Sequence, residues 1–596
     1  MKNLYNNSKH IFVVYLLAII IASCNTDFLE TIPLTEYSEI AVWQGEDPNL
    51  MESFLARIYH QIEHGFEKFP SNVYVDDGDA RANAGILIAN SGGDSPLTTG
   101  YWDQWSQVYT AIRYCNIALE NIGRSPVDDD IKNRLTGEAH FLRGMLYHHL
   151  VRLYGGVPLV KNSYKLSDNF ILPRNTFAEC IEFIASECDL AAELLPLAHS
   201  GNNVGRATRG AALALKSRVL VHAASDLHNS AIFPGYSTPE LISYTSGSRD
   251  GRWIAARDAA KAVIDLDIYR LYKGEPSPTD SISKNYADLF LSYGTDEDIF
   301  LRYFLANWWR RVNDNPLQLY FPIGFGGRGN NVPLGNLVDA FEVADGSKFN
   351  WNNPAHSTRP YQNRDPRFHA FIIYEGSAVR DMGRDETFIA LDPTSRLQVG
   401  QYERWDALQN KKVIQYGVDS RKGPIRPHEA SYTGYYIRKA MDTRIDGWKY
   451  AQDIPWRYIR YAEVLFNYAE ACIELGEEDE ARKYLNMIRK RAGMPDITDS
   501  GIALKNRFRN EKRVEMMFED QRYYDVRRWA VGSEAYGPAY AADILYSLNN
   551  DHTTAIVPII KHVVFQTRAW KNKMYFRPIP NSEMLRNNLL IQNPEY

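Results

Sequence analysis

The stretch RYIRYAEVLFNYAEACIELGEEDEARKYLNMIRKRAGMP (residues 457–495), followed after a short link by RFRNEKRVEMMFEDQRYYDVRRWAVG (507–532), decides the fold. Tyr461, Val464, Leu465, Tyr468, Ala471, Cys472 and Leu475 recur at three- and four-residue steps, the period of one helical face. Gly476 ends that helix at a position suited to positive φ. Glu477 to Glu480 then place negative charge on the first turn of a second helix, where the dipole favours it. Ala481, Tyr484, Leu485 and Ile488 form its apolar face, and Gly493 with Pro495 stops it. With Gly476 as the turn, Ala481 and Leu485 fall on the packing positions of a tetratricopeptide helix pair. The expected fold is mainly α, a tetratricopeptide-like helical-repeat scaffold.

A third helix carries a charged stripe. Glu511, Glu515, Glu519 and Arg522 are spaced four, four and three, beside an apolar face of Val514, Met517 and Phe518. Carboxylates so placed suit either acid–base chemistry or ion pairs where helices meet. The many arginines nearby (507, 509, 513, 522, 527 and 528) and the lack of any His or Cys in the stripe favour structural ion pairs.

The 596 residues are 45% hydrophobic and 23% charged, enough for a large core, and the net charge of −6 argues against a nucleic-acid surface. Lys2, Lys9 and His10 precede an apolar run from Ile11 to Ala22 that is short for a membrane span and fits a secretory signal. The run closes as Ile21-Ala22-Ser23-Cys24, which resembles a lipobox. Cys24 is therefore expected to be acylated and to anchor the mature chain in a membrane. Cys115, Cys180, Cys188 and Cys472 show no metal or redox spacing and read as small core residues.

Helices are expected near 49–65, 102–122, 131–154, 176–195, 208–226 and 252–266. From about 270 to 450, Gly, Pro, Asn and aromatics rise, and short strand-like runs appear at 298–304, 369–376 and 433–440. This reads as an irregular, loop-rich region packed on the helical frame.

The segments YAEVLFNYAEA, LNMIRKRAG and NEKRVEMMFEDQRYYDVRRW resemble the signature of the SusD/RagB family of Bacteroidetes surface lipoproteins. CNTDFLETIPL, WSQVYTAIRYCN, AHFLRGMLYHHLVRLYGGVPLV, ATRGAALALKSRVLVHAAS, LVDAFEVADG, RDPRFHAFIIYEG, GYYIRKA and the ending YFRPIPNSEMLRNNLLIQNPEY follow in the expected order, so the resemblance covers the mature chain. It implies a signal peptide at 1–23, an N-terminal helical region at 24–230 and a RagB/SusD-type region at 270–596, together one compact unit. It also implies an outer-membrane, surface-exposed protein, anchored at Cys24. Such a protein binds oligosaccharide and passes it, uncleaved and without cofactor, to a TonB-dependent, SusC-like transporter. RagB-type members leave peptide as the alternative ligand, and a two-carboxylate glycan hydrolase is the enzymatic rival.

Candidate ligand contacts follow. NVYVDDGDARANAG (72–85) holds Asp76, Asp77, Asp79 and Arg81; its order departs from a calcium loop, so a polar loop is favoured over a metal site. Asp77, Asp79 and Arg81 could pair with sugar hydroxyls, and the family resemblance places ligand contacts in this region. Trp308 and Trp309 follow a strand-like run, where neighbours face opposite sides and one ring can be exposed for stacking on a sugar. Tyr101 and Trp102, after the Gly-rich SGGDSPLTTG, are the second choice. GFGGRGNN (324–331) lacks the strand and helix of a phosphate loop, and His140, His148 and His149 lack metal-ligand spacing.

Overall fold

The computed structural model describes residues 39–67, 70–80, 86, 89–93, 95, 97, 104–165, 167–168, 170–304, 315–379, 394–447 and 450–596. The sequence periodicity becomes a stack of antiparallel helices: α1 (Pro48–His60), α2 (Trp105–Asn121), α3 (Asp129–Tyr154), α4 (Phe177–Leu194), α5 (Arg209–Ala224) and α6 (Arg249–Ile264). Each begins or ends where its sequence says it should. Asp128 accepts the Asp130 amide at the start of α3, and Gly155 closes that helix at φ 75°. Thr176 and Glu179 form a reciprocal capping box on α4.

The next helix in space is not the next in sequence. Against α6 packs α7 (Tyr461–Glu474), then α8 (Glu478–Arg491), so the stack is continuous in space and interrupted in the chain by residues 265–460. The expected apolar faces of α7 and α8 are buried; Val464, Leu465, Ala481, Leu485 and Ile488 have no exposure. One hydrophobic cluster runs from Ile58 through all these helices to Leu590. Cys115, Cys180, Cys188 and Cys472 are free and buried in it, as their spacing suggested.

The interrupting region carries its own small cores and mostly short strands. Strand β1 (Gly78–Ala80) pairs antiparallel with β3 (Asn331–Pro333), β2 (Asp298–Arg302) with β8 (Trp456–Arg460), and β4 (Ile372–Ile373) with β7 (Tyr436–Ile437). A four-stranded sheet in the order β10-β9-β5-β6 joins β5 (Gln401–Asp406) and β6 (Lys411–Tyr416) to β9 (Pro538–Tyr546) and β10 (Ile559–Thr567). The run at 369–376 is only partly strand, because helix Pro366–Phe371 occupies its first half.

The charged stripe also differs from its sequence reading. Helix α9 (Gly501–Glu515) stops at Glu515, and α10 begins at Arg522 and ends at Arg528. Between them Phe518 and Asp520 adopt φ of 55° and 60°. The released carbonyls are capped by buried cations: Glu515 O accepts from Arg460 at 3.0 Å and Lys439 at 2.9 Å, and Met517 O from Lys439 at 2.9 Å. Cationic partners at a helix C-terminus both satisfy the orphan acceptors and oppose the dipole, which makes this an effective stop.

Candidate functional site

The stripe Glu511, Glu515 and Glu519 is buried and fully engaged. Glu511 meets Arg367 at 2.5 Å and Arg489 at 2.9 Å; Glu515 meets Arg491 at 2.6 Å, Arg460 at 2.9 Å and the Tyr286 hydroxyl at 2.7 Å. Glu519 is gripped by Arg460 and Lys439, both at 2.6 Å. Burial alone would raise the Glu515 carboxyl, but Arg491, Arg460 and Arg367 outweigh it and hold it well below the usual carboxylate range. A carboxylate fixed in its charged form behind arginines has no proton to give, so the ion-pair reading of the stripe stands. Its partners, however, come mainly from distant segments rather than from the neighbouring arginines.

Two of those neighbouring arginines, Arg513 and Arg522, serve the acidic loop instead, together with the more distant Arg568. Arg522 holds Asp76 bidentately at 2.9 and 2.8 Å, Arg513 Nε donates to Asp77 at 2.7 Å, and Arg568 bonds Asp79 at 3.1 Å. Asp77 is 0% exposed and Asp79 is buried beside it. In this placement Asp77 ties the segment to α9, Asp76 ties it to α10 and Asp79 ties it to the C-terminal region, all three buried rather than open to solvent as an acidic loop suggests. Asp79 also lies opposite Val332 in the β1–β3 ladder.

Arg81, Tyr101, Trp102, Trp308, Trp309 and Cys24 lie outside the described residues. The described positions nearest to the aromatic candidates converge on one short segment. Gln104 donates to Glu63, and the Phe304 ring meets His64 edge-on with centroids 5.0 Å apart and lies 6.0 Å from Phe66. The Phe66 ring in turn packs edge-on against Trp456 at 5.1 Å. Gly65 is required there, since a Cβ at this position would sit 2.1 Å from the Trp456 ring.

Tyr303, the chain neighbour of Phe304, leads to exposed aromatic residues that the sequence did not single out. Tyr293 is 52% exposed and Tyr450 is 58% exposed. The Tyr303 hydroxyl donates to Tyr293 O at 2.6 Å, and Asn315 Nδ2 donates to Tyr450 O at 3.1 Å and Gly447 O at 2.8 Å. Partial burial and a hydrogen bond with Asp453 push the Tyr293 hydroxyl up to about 12. Arg444 holds Asp442 with two 2.8 Å bonds close by. Tyr293 thus offers an exposed ring beside Asp453, Asp442 and Arg444, and Tyr450 is a second exposed ring in the chain segment that carries those three residues. The available sequence signal was a Tyr-Gly pair in an acidic turn (Tyr293-Gly294).

A polar cavity of about 50 Å³ opens beneath Trp456 and Tyr458, lined by Gln61, Glu63, His148, His149, Arg152 and Asp520 among others. Gln61 Oε1, His148 Nε2, His149 Nε2 and Arg152 Nε are buried with no hydrogen-bond partner among the described residues. Its size suits a few ordered waters rather than a sugar ring. Burial, then Arg152, drives both histidines well below their ordinary pKa.

Comparison with known proteins gives two family matches. The SusD family matches residues 304–596, and a family described as starch-binding, associating with the outer membrane, matches residues 49–221. A SusD-like protein of Formosa agariphila is 24% identical over 534 residues, covering 87% of this chain and 85% of that protein. The crystal structure of a SusD-like protein from Bacteroides fragilis superposes with a TM-score of 0.72 at 27% identity, covering 94% of this chain and 99% of that one. A second Bacteroides fragilis structure, described as a SusD-like carbohydrate-binding protein, gives a TM-score of 0.67 at 22% identity, over 92% of this chain and 100% of that one.

Proposed function

The chain is a SusD-like protein, and from that premise we propose that it binds oligosaccharide at the outer membrane without cleaving it. The observation that carries this reading is the exposed Tyr293 ring beside Asp453 and the Arg444–Asp442 pair, with Tyr450 exposed in the same segment. Sugars present an apolar C–H face to a ring and hydroxyls to charged neighbours, and this surface offers both. Trp308 and Trp309, or Tyr101 and Trp102, would add stacking surface, and Arg81 a further hydroxyl contact.

Acylated Cys24 would hold the protein at the surface, where a tether raises its local concentration at a TonB-dependent, SusC-like barrel. The protein would then act as a lid that passes ligand inward. The engaged state of Glu511, Glu515 and Glu519 supports a binding role over hydrolysis.

Affinity electrophoresis of the chain from residue 25 against a glycan panel tests the reading. Retardation by at least one glycan with no product formed is expected; cleavage, or retardation by none of them, would overturn it. Cys24→Ser in the full chain should move the protein from membrane to soluble fractions, and retention would refute the anchor.

A further inference from the structure

A second opening lies across α2 from the polar cavity. Gln104 and Val108 line that cavity, whereas Trp105 and Tyr109 floor an open groove of about 700 Å³ on the other flank of the same helix. The groove is closed by Pro158, Val160 and Phe170 to Leu172 on one side and by Glu583, Arg586, Asn587 and Leu590 on the other. Its volume is in the range of ligand-binding clefts, on the order of 300–1,000 Å³.

Its floor is apolar and rigid. The Trp105 ring is wedged edge-on against Tyr154 at 5.1 Å, and the Tyr109 hydroxyl donates to Pro158 O at 2.8 Å. At the mouth Phe170 is 50% exposed, an unusual position for a large ring, and the Tyr164 ring braces it edge-on at 5.6 Å. Arg113 in turn fixes Tyr164 through its carbonyl at 2.5 Å. The opposite rim is polar. Arg586, with its side chain 73% exposed, bonds Glu583 at 2.9 Å, and Ser106 and Thr110 place hydroxyls on the wall between. Asn587 ties this rim to Leu172 O at 2.7 Å, so both walls are held in register.

We propose that this groove is a second carbohydrate-binding subsite, for a short neutral oligosaccharide. The inference rests on the carbohydrate reading above. Rings below and at one lip, with hydroxyls and an arginine–carboxylate pair at the other, match the two faces of a pyranose. An extended peptide would need a strand edge, and the groove's walls are helices and loop. The balanced charges of Arg113, Arg586, Asp168 and Glu583 favour a neutral ligand over an ionic one.

Isothermal titration of the chain from residue 25 with oligosaccharides of increasing length tests this. Wild type should bind two equivalents of a short ligand. The double variant Phe170→Ala, Arg586→Ala should lose one equivalent, or weaken it at least tenfold, and keep its melting temperature, because both side chains are exposed. Thr110→Trp, which fills the groove, should do the same. Tyr293→Ala with Tyr450→Ala should remove the other equivalent and leave this one.

Two equivalents untouched by the groove variants, or a single equivalent lost only with the tyrosines, would overturn the groove and spare the first reading. Apolar peptide displacing nothing but binding the groove in wild type would also overturn it. No heat from any glycan would remove the carbohydrate reading itself, and this one with it.

Discussion

Arg460 holds Glu519 with two parallel bonds, Nε at 2.6 Å and Nη2 at 2.8 Å, across 59 positions of sequence and out of reach of solvent. The same guanidinium also reaches Glu297 at 2.6 Å and Glu515 at 2.9 Å. Removing one partner from such a buried set leaves uncompensated charge, which costs about 3–5 kcal/mol. Arg460→Met should therefore lower unfolding free energy by roughly that amount in a urea titration. A loss under about 1 kcal/mol would show that water enters and solvates the carboxylates.

The exposed tyrosines make the opposite prediction. Tyr293→Ala and Tyr450→Ala should each weaken glycan binding by about 0.5–1.5 kcal/mol, severalfold to tenfold in Kd, with the melting curve unmoved. A fall in melting temperature with binding retained would assign the rings to packing.

Gly65 separates position from contact. Gly65→Ala drives a methyl into the Trp456 ring and should cost about 1–3 kcal/mol while shifting the segment that meets Gln104 and Phe304. Reduced glycan affinity alongside the stability loss is expected; unchanged stability would mean that the ring simply swings away.

Acid should destabilise the protein in two stages. His148, His149 and His222 are held well below 6.5, and His228, mainly by burial, at about 4. Above pH 6.5 these groups are neutral in both folded and unfolded chains and contribute no slope. As pH falls below that value the unfolded chain gains protons first, so stability declines until the folded pKa is reached, by about 3 kcal/mol for His228 alone. Glu511, Glu515 and Glu519, lowered by their cations, add a second decline below about pH 4.5, where the unfolded carboxylates protonate. Urea midpoints should stay level from pH 7.5 to about 6.5 and fall from there to pH 4. A flat profile between 6.5 and 5 would exclude the histidine stage, and His228→Phe should shrink that stage.

The helices were legible because their signals are local: the four-residue period of Val464, Tyr468 and Cys472, and glycines that end turns. What joins them was not. Nothing local to Arg367, Lys439 or Arg460 says that they meet the acids of α9 and its exit, since that pairing exists only after β8 is laid against β2. The premature end of α9 follows from the same cause, because tertiary cations stop it and no Gly or Pro does. IIKHVVFQT carries β-branched residues suited to β10, a local signal beyond the three strand-like runs at 298–304, 369–376 and 433–440. Of the site, Asp77 and Asp79 looked available because an acidic loop reads as solvent-facing until Arg513 and Arg568 are placed beside it.

The bond from Arg513 to Asp77 bridges 436 positions, and that from Arg568 to Asp79 bridges 489. During synthesis the early acids have no counter-charge until nearly the whole polypeptide has been made. The ion pairs that pin the acidic segment in place therefore form only after the rest of the helical stack has been made. By the same logic a chain cut short of residue 513 leaves Asp76, Asp77 and Asp79 without their cations, and is expected to open more readily to proteolysis.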